Sequence, residues 1–292
     1  MTSLAAALGY GAEARLLVVH EDDVGMCHGA NRAFFELSRD GFLTCGSVMV
    51  PCPWFREVAD RAAGSPELDL GVHLTLTSEW PHYRWAPIST VSRASGLIDP
   101  DGYFWRNCLD LREHVVPEAA EIEMRAQIER ALDAGIAVTH LDTHMGAALA
   151  PELAEIYLRL GREYALPTLL PRRFDGFASV LRLGDLSGFD YRALAEAQDW
   201  PSVDEFRMTP GVATQDAEAA YRRLVTTIAP GVTYLALHCN APGDIEAIVP
   251  PRAHWRTDEY RILAGNTFRQ LAADSGIDLI GMRLVRDRLR GS

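Results

Sequence analysis

Two adjacent carboxylates, Asp22 and Asp23, follow the apolar run Leu16, Leu17, Val18 and Val19, and three later apolar runs each reach a histidine: His73, His144 and His238. Acids and imidazoles delivered to the ends of buried strands can hold a divalent cation and move protons beside it, which is the chemistry of one-metal hydrolysis. Strands that read as continuous apolar runs belong to parallel sheets covered on both faces, and such sheets carry chemistry at the carboxyl ends of their strands.

Each residue also has a plainer reading. Neighbouring side chains on an extended strand point to opposite faces, so Asp22 and Asp23 cannot serve one ligand in the same way without a local bend. One can bind a cation while the other accepts a proton from an activated water. Equally, one can cap the helix beginning near Gly29 while the other is solvated. His73, flanked by Val72 and Leu74, taken alone reads as a satisfied core histidine. Its company is what raises it. His140, Asp142 and His144 share parity and so one face of a strand, whose β-branched neighbours Val138, Thr139 and Thr143 argue against a helix. Residues four apart on a strand are ~13 Å apart, so His140 and His144 do not share an ion. His144, nearer the carboxyl end, is the better ligand; Asp142 can orient a ligand from behind, and His140 is structural. His238 precedes a turn and suits proton donation to a leaving group; its alternative is a capped loop histidine. His28 is near enough in sequence to reach the acids, whereas His20, His82, His114 and His254 have no such positional support.

The elements that must position these residues alternate strand and helix. Ala30, Ala33, Phe34 and Leu37 mark a helix that Gly41 ends, residues 43–50 a strand, residues 53–62 a helix, and residues 68–76 a strand. From 78 to 116 the pattern fails in a long insertion loop with Trp80, Trp85, Tyr103, Phe104 and Trp105, the length of a lid or binding loop. Periodicity resumes with a helix from Pro117, a strand over 138–145, an apolar helix face from Leu153 to Tyr164, and a strand over 168–170 ahead of Arg172. Residues 174–214 give no order. A helix capped by Asp216, a strand over 232–237, a helix from Thr257 and a strand over 277–280 complete the chain. This is α/β, an irregular TIM-like (β/α) barrel of about seven strands in one domain spanning residues 1–292.

With 292 residues, 48% of them hydrophobic, the chain can bury a full core. Its net charge of -12 makes nucleic acid an unsuitable partner, because phosphate binding relies on clustered Lys and Arg. Five cysteines lack zinc-finger spacing and are odd in number, which points to a reducing cytoplasm. No signal peptide and no apolar stretch approaching ~20 residues is present, so no membrane is expected. A Gly-x-Ser-x-Gly elbow and a phosphate-binding lysine loop are both missing, and Cys27 and Cys239 lack a specifiable Cys-His-Asn arrangement.

Four segments in order resemble the YdjC-like (ChbG/HpnK-type) carbohydrate deacetylases. They are Leu17-Val18-Val19-His20-Glu21-Asp22-Asp23-Val24-Gly25, Gly71-Val72-His73-Leu74-Thr75-Leu76-Thr77, Thr139-His140-Leu141-Asp142-Thr143-His144, and Leu235-Ala236-Leu237-His238. The resemblance implies a barrel related to the NodB-type polysaccharide deacetylases. It also implies one divalent ion, Mg²⁺ or Zn²⁺, on Asp23, His73 and His144, with Asp22 as general base and His238 as general acid. Arg172 matches a family arginine that could contact the sugar or the oxyanion. The implied reaction is hydrolytic removal of an N-acetyl group from an amino sugar or oligosaccharide. A homodimer is the candidate assembly. Met145-Gly146-Ala147 stands where the family carries further histidines, Val24 replaces a phenylalanine, and the late proline is displaced to Pro242. These departures bear on the pocket that reads the sugar more than on the ligands. A metal-dependent phosphoesterase or other amidohydrolase, and a carbohydrate-binding protein using the loop aromatics, are the competing readings.

Overall fold

A computed structural model describes residues 3–172, 182–186, 188–197 and 202–291. Its centre is β1 (Arg15–Val24), whose Leu16, Leu17, Val18 and Val19 are all fully buried. At ~1.5–3 kcal/mol for each buried aliphatic side chain, this run favours a position covered on both faces. Around it lie β2 (Cys45–Val48), β3 (Leu70–Leu74), β4 (Leu141–Thr143), β5 (Glu205–Met208), β6 (Gly231–Leu237) and β7 (Asp278–Leu279). The order is β4-β3-β2-β1-β6-β5, every pairing is parallel, and β7 adds to the start of β1 at Leu16 and Leu17. The sheet curls toward closure through residues 167–172. Leu169 donates to the Leu141 carbonyl at 3.0 Å, and Arg172 donates to that of Val203 at 2.8 Å, linking β4 to the chain just ahead of β5. The α/β barrel expected from the apolar runs is the architecture observed.

Helices cover the sheet. The helix His28–Asp40 presents Ala30, Ala33, Phe34 and Leu37 to the core, as their spacing predicts, and Pro117–Asp133 starts on its proline. Other boundaries moved for local reasons. The strand expected over 138–145 is only Leu141–Thr143, because the chain turns at His144 and Met145 takes a φ of 55°. Residues 168–170 make a single bridge to β4, and Asp216 lies in the first turn of Thr214–Thr226 instead of capping it. The helix expected from Thr257 begins at Ala253 and is followed by a second, Thr267–Asp274. After β7 comes a helix not foreseen, Met282–Leu289. Within the segment left unordered, β5 and the helix Tyr191–Glu196 are described; residues 173–181, 187 and 198–201 lie outside the described residues.

The long stretch from 78 to 116 contains a helix, Cys108–His114, whose first turn is capped by the Asn107 side chain. Apart from a short 3₁₀ turn, Arg93–Ser95, and a bridge between Ile98 and Phe104, the rest is irregular but tethered. Buried Glu123 accepts the N–H groups of Ile88 at 3.1 Å and Ser89 at 2.8 Å, and Arg84 pairs with Asp99 at 2.8 Å inside the fold. Trp85 and Phe104 are buried, Trp105 stacks on His114, and Tyr103 is the exposed member of the aromatic set at 38%. The loop is therefore packed on the barrel rather than presenting a row of open rings.

Candidate active site

The carboxyl ends of β1, β3, β4 and β6 bring the two acids and the three histidines to one mouth of the barrel. On β1 the bend that the acid doublet requires is present. Glu21 pairs with Gly46 and Val24 with Val48, so Asp22 and Asp23 together oppose Ser47, and Asp23 has φ 60°. This is a bulge, rare between parallel strands, and aspartate is among the few residues that tolerate that backbone region. Both carboxylates thereby face the site.

Asp23 Oδ1 lies 3.1 Å from His144 Nδ1 and 3.6 Å from His73 Nε2. Edges of that length are what donors each ~2.0–2.2 Å from a common ion make, and one carboxylate with two imidazoles suits a divalent cation. The residues therefore fit the ion. Each imidazole gives its other nitrogen to a carboxylate: His73 Nδ1 to Asp142 at 2.9 Å, and His144 Nε2 to Glu79 at 3.0 Å. Such partners fix the ring and its tautomer. Ser47 sits between His73 Nδ1 and Asp142, donating to the latter at 2.9 Å. The second oxygen of Asp23 accepts from Arg256 at 2.8 Å. Burial would raise the Asp23 carboxyl, but Arg256 and then His144 more than offset it and hold it well below the usual range. Burial likewise opposes a charge on His144, yet Glu79 and Asp23 push its pKa up to about 10. Acidic surroundings this strong retain positive charge.

Asp22 and His238 are the more open members. Their side chains are 16% and 19% exposed, against 2%, 3% and 5% for Asp23, His73 and His144. His238 Nε2 lies 3.7 Å from Asp22 Oδ2. Its Nδ1 meets the Thr209 hydroxyl at 2.9 Å, and its backbone N–H donates to Glu259 at 2.7 Å. With Nδ1 engaged by Thr209, Nε2 is the nitrogen that faces Asp22. Burial lowers the His238 pKa, with Arg256 acting in the same direction and Asp22 against it.

Arg172 does not join this cluster. Its guanidinium is half exposed and 3.9 Å from Asp204, whose carboxylate accepts the N–H of Val232 at the opposite end of β6 from His238. His28, exposed, bonds Glu57 at 3.1 Å. His140 meets His20, not His144, and His20 in turn bonds Asp22 at 2.7 Å. That last contact was open to sequence reading, since His20 and Asp22 share parity on β1. Glu79 in the irregular loop and Arg256 on a late helix carried no comparable signal. All five cysteines are buried, and burial raises the Cys27 and Cys239 thiols, the reverse of an activated nucleophile.

Two further groups among the described residues could converge on a cation, His20 with His140 and Asp142, and Asp22 with His73 and Asp142. Both draw on Asp142, whose oxygens are already committed to His73 and Ser47. No described helix is long and apolar enough to cross a membrane.

The chain is 35% identical over 286 residues to a carbohydrate deacetylase of Thermus thermophilus, covering 97% of each protein. A carbohydrate deacetylase of Brevibacillus brevis is 34% identical over 161 residues, 54% of this chain and 60% of that one. In structure, the chain resembles a crystallised Enterococcus faecalis protein assigned to cellobiose-phosphate cleavage, with a TM-score of 0.75 at 24% identity, over 93% of this chain and 99% of the other. That likeness establishes the shared fold. The family model for YdjC-like proteins matches residues 16–274, a span that holds β1 from its second residue, all of β2 to β6 and every acid and histidine at the barrel mouth, and the chain belongs to that family.

Proposed function

We propose that this protein is a metal-dependent carbohydrate N-deacetylase, which hydrolyses the acetamide of an N-acetylated amino sugar to acetate and a free amine. The observation that carries the reading is the triangle of Asp23 Oδ1, His73 Nε2 and His144 Nδ1 with Asp22 and His238 open beside it. The relatives named carbohydrate deacetylases supply the substrate class.

Asp23, His73 and His144 would hold a divalent ion, Mg²⁺ or Zn²⁺, which when bound polarises the acyl oxygen and acidifies water. Asp22 takes the proton of the attacking water at Oδ2, and the new C–O bond forms as the carbonyl carbon becomes tetrahedral. His238, carrying its proton on Nε2, passes it to the nitrogen as the C–N bond breaks. Oδ2 and Nε2 are 3.7 Å apart, and closing that gap to hydrogen-bond length lets the proton held by Asp22 return to His238 and reset the pair. Arg256 neutralises the Asp23 oxygen that faces away from the histidines, so the ligand set keeps one carboxylate oxygen directed inward. Arg172 is not assigned a role in the reaction, given where its side chain lies.

The test is acetate release from N-acetylglucosamine and its short oligomers by the full chain loaded with Mg²⁺ or Zn²⁺. Asp22→Asn should lower the rate by ~10²–10⁴-fold while leaving the metal content unchanged. Phosphate release from sugar phosphates without acetate release, or bound sugar without turnover, would refute the reading.

A further inference from the structure

Beneath the site, inside the barrel, lies a line of hydrogen bonds that the reaction above does not use. From Asp22 Oδ1 it runs to His20 Nδ1 at 2.7 Å, and from His20 Nε2 to His140 Nε2 at 3.0 Å. His140 Nδ1 then meets Thr139 Oγ1 at 2.9 Å, and Thr139 donates to Asp69 at 2.6 Å. His20, Thr139 and His140 are fully buried. Gly71 makes the line possible, because a Cβ there would stand 2.6 Å from the His140 ring.

The direction of these bonds follows from which atoms have hydrogen to give. The other oxygen of Asp69 accepts the Arg283 N–H at 2.7 Å. Burial raises the Asp69 pKa overall, with that N–H and the Thr139 hydroxyl acting against the rise, and Thr139 is the donor in the 2.6 Å contact. A carboxylate only accepts, so the single hydrogen of Thr139 goes to Asp69, and Thr139 must accept from His140 Nδ1. Burial, with the neighbouring His20, holds the His140 pKa down at about 3, so its ring is neutral and its Nε2 bare. A 3.0 Å contact with that bare nitrogen requires hydrogen on His20 Nε2, and a 2.7 Å contact with the Asp22 carboxylate requires it on Nδ1.

We propose that His20 is a positioning residue for Asp22: it holds hydrogen on both ring nitrogens, clamps Asp22 Oδ1, and leaves Oδ2 as the basic atom turned toward His238. Asp142 Oδ2, 3.6 Å from His20 Nε2, shares the countercharge, and Tyr234 stacks on the ring. An ion between His20, His140 and Asp142 is the competing arrangement. Against it, Asp142 Oδ2 already accepts from Ser47 at 2.9 Å. The inference rests on Asp22 as the base, so its test has an arm that needs no turnover.

That arm is nitrogen NMR of the metal-free, ¹⁵N-histidine-labelled full chain. Two protonated nitrogens on His20 and one, Nδ1, on His140 are expected. A bare Nε2 on His20 means that His140 supplies the hydrogen between the two rings, and overturns the proposal. So does a second Zn²⁺ ion bound per chain. In the kinetic arm, His20→Asn keeps an amide N–H near the position of Nδ1, whereas His20→Gln reaches the position of Nε2 and abandons Asp22. The Gln variant should lose ~10²-fold in kcat and the Asn variant less than ~10-fold, with KM and Zn²⁺ affinity close to those of the parent. Equal losses in both variants, or losses confined to KM, contradict positioning. If the parent enzyme releases no acetate, the reading of Asp22 as base falls, while the NMR result still decides the state of His20.

Discussion

Replacing Asp142 by asparagine separates orientation of a metal ligand from mere support of the fold. Asp142 is buried, and its Oδ1 accepts from His73 Nδ1 at 2.9 Å while its Oδ2 accepts from Ser47 at 2.9 Å. Burial would raise its pKa, yet His73 and then His20 hold it well below the usual carboxylate range. Asparagine has the same shape, can present its carbonyl oxygen to His73, and can turn its amide toward the oxygens of Ser47 and Tyr234. The hydrogen bond to His73 then survives as a neutral one. Charge-assisted bonds contribute ~1.5–3 kcal/mol and neutral ones ~0.5–1.5, so the ligand loses about 1–1.5 kcal/mol of support. At 1.4 kcal/mol per factor of ten, Zn²⁺ affinity should fall about tenfold, the lower edge of the ten- to hundredfold range for such partners. Competition with a chromophoric chelator measures it directly. Asp142→Ala is the contrasting variant. It strips His73 of its acceptor and opens a cavity, so a fall in stability of several kcal/mol accompanies the affinity loss. Unchanged Zn²⁺ affinity in a folded Asp142→Asn protein would refute the claim that this carboxylate orients His73.

Arg256→Leu leaves one buried oxygen of Asp23 without its cation, which should cost about 3–5 kcal/mol in chelator, with part recovered in saturating Zn²⁺; urea unfolding in both conditions checks this, and equal losses in the two would contradict it. Glu259, fully buried, has its pKa raised to about 7 from 4.5, chiefly by desolvation. The folded state thus binds the proton more tightly than the unfolded chain, so the stabilisation is complete below about pH 4.5 and is lost as pH rises through about 7, roughly 3 kcal/mol in all. Glu259→Gln should flatten the dependence of unfolding midpoint on pH over this window, leaving the same-signed contribution of buried Glu21. A slope identical to the parent's would show that Glu259 is not the group responsible.

How far the molecule could be read from its sequence depends on the range of the signal. The runs at 16–19 and 232–237 are continuous because β1 and β6 are covered on both faces, and continuity of that kind survives without any tertiary knowledge. The barrel followed from such runs. Short elements such as β5 and the helix Cys108–His114 did not, being too brief to establish a period. At the barrel mouth, parity alone places His140 and Asp142 on one face, and it also links His20 to Asp22. The bulge left no mark, because the positive φ falls on Asp23 where a glycine would have announced it. Arg256 lies 233 residues from the carboxylate it neutralises, and Glu79 sits in a stretch with no regular structure. Pairings of that kind depend on how the whole chain closes.

The central strand imposes an order on how this protein is made. β1 leaves the ribosome first among the strands, but its partners β6 and β7 stand near the other end of the chain. At 5–20 residues per second, roughly 200 intervening residues take about 10–40 s to appear. Throughout that interval one edge of the strand that carries the apolar run Leu16–Val19 has no native neighbour, and an unpaired apolar edge is a template for pairing with other chains. The central place of the strand that carries the acid doublet thus leaves the nascent chain dependent on β2, on early helix docking and on cellular holdases until its last quarter arrives.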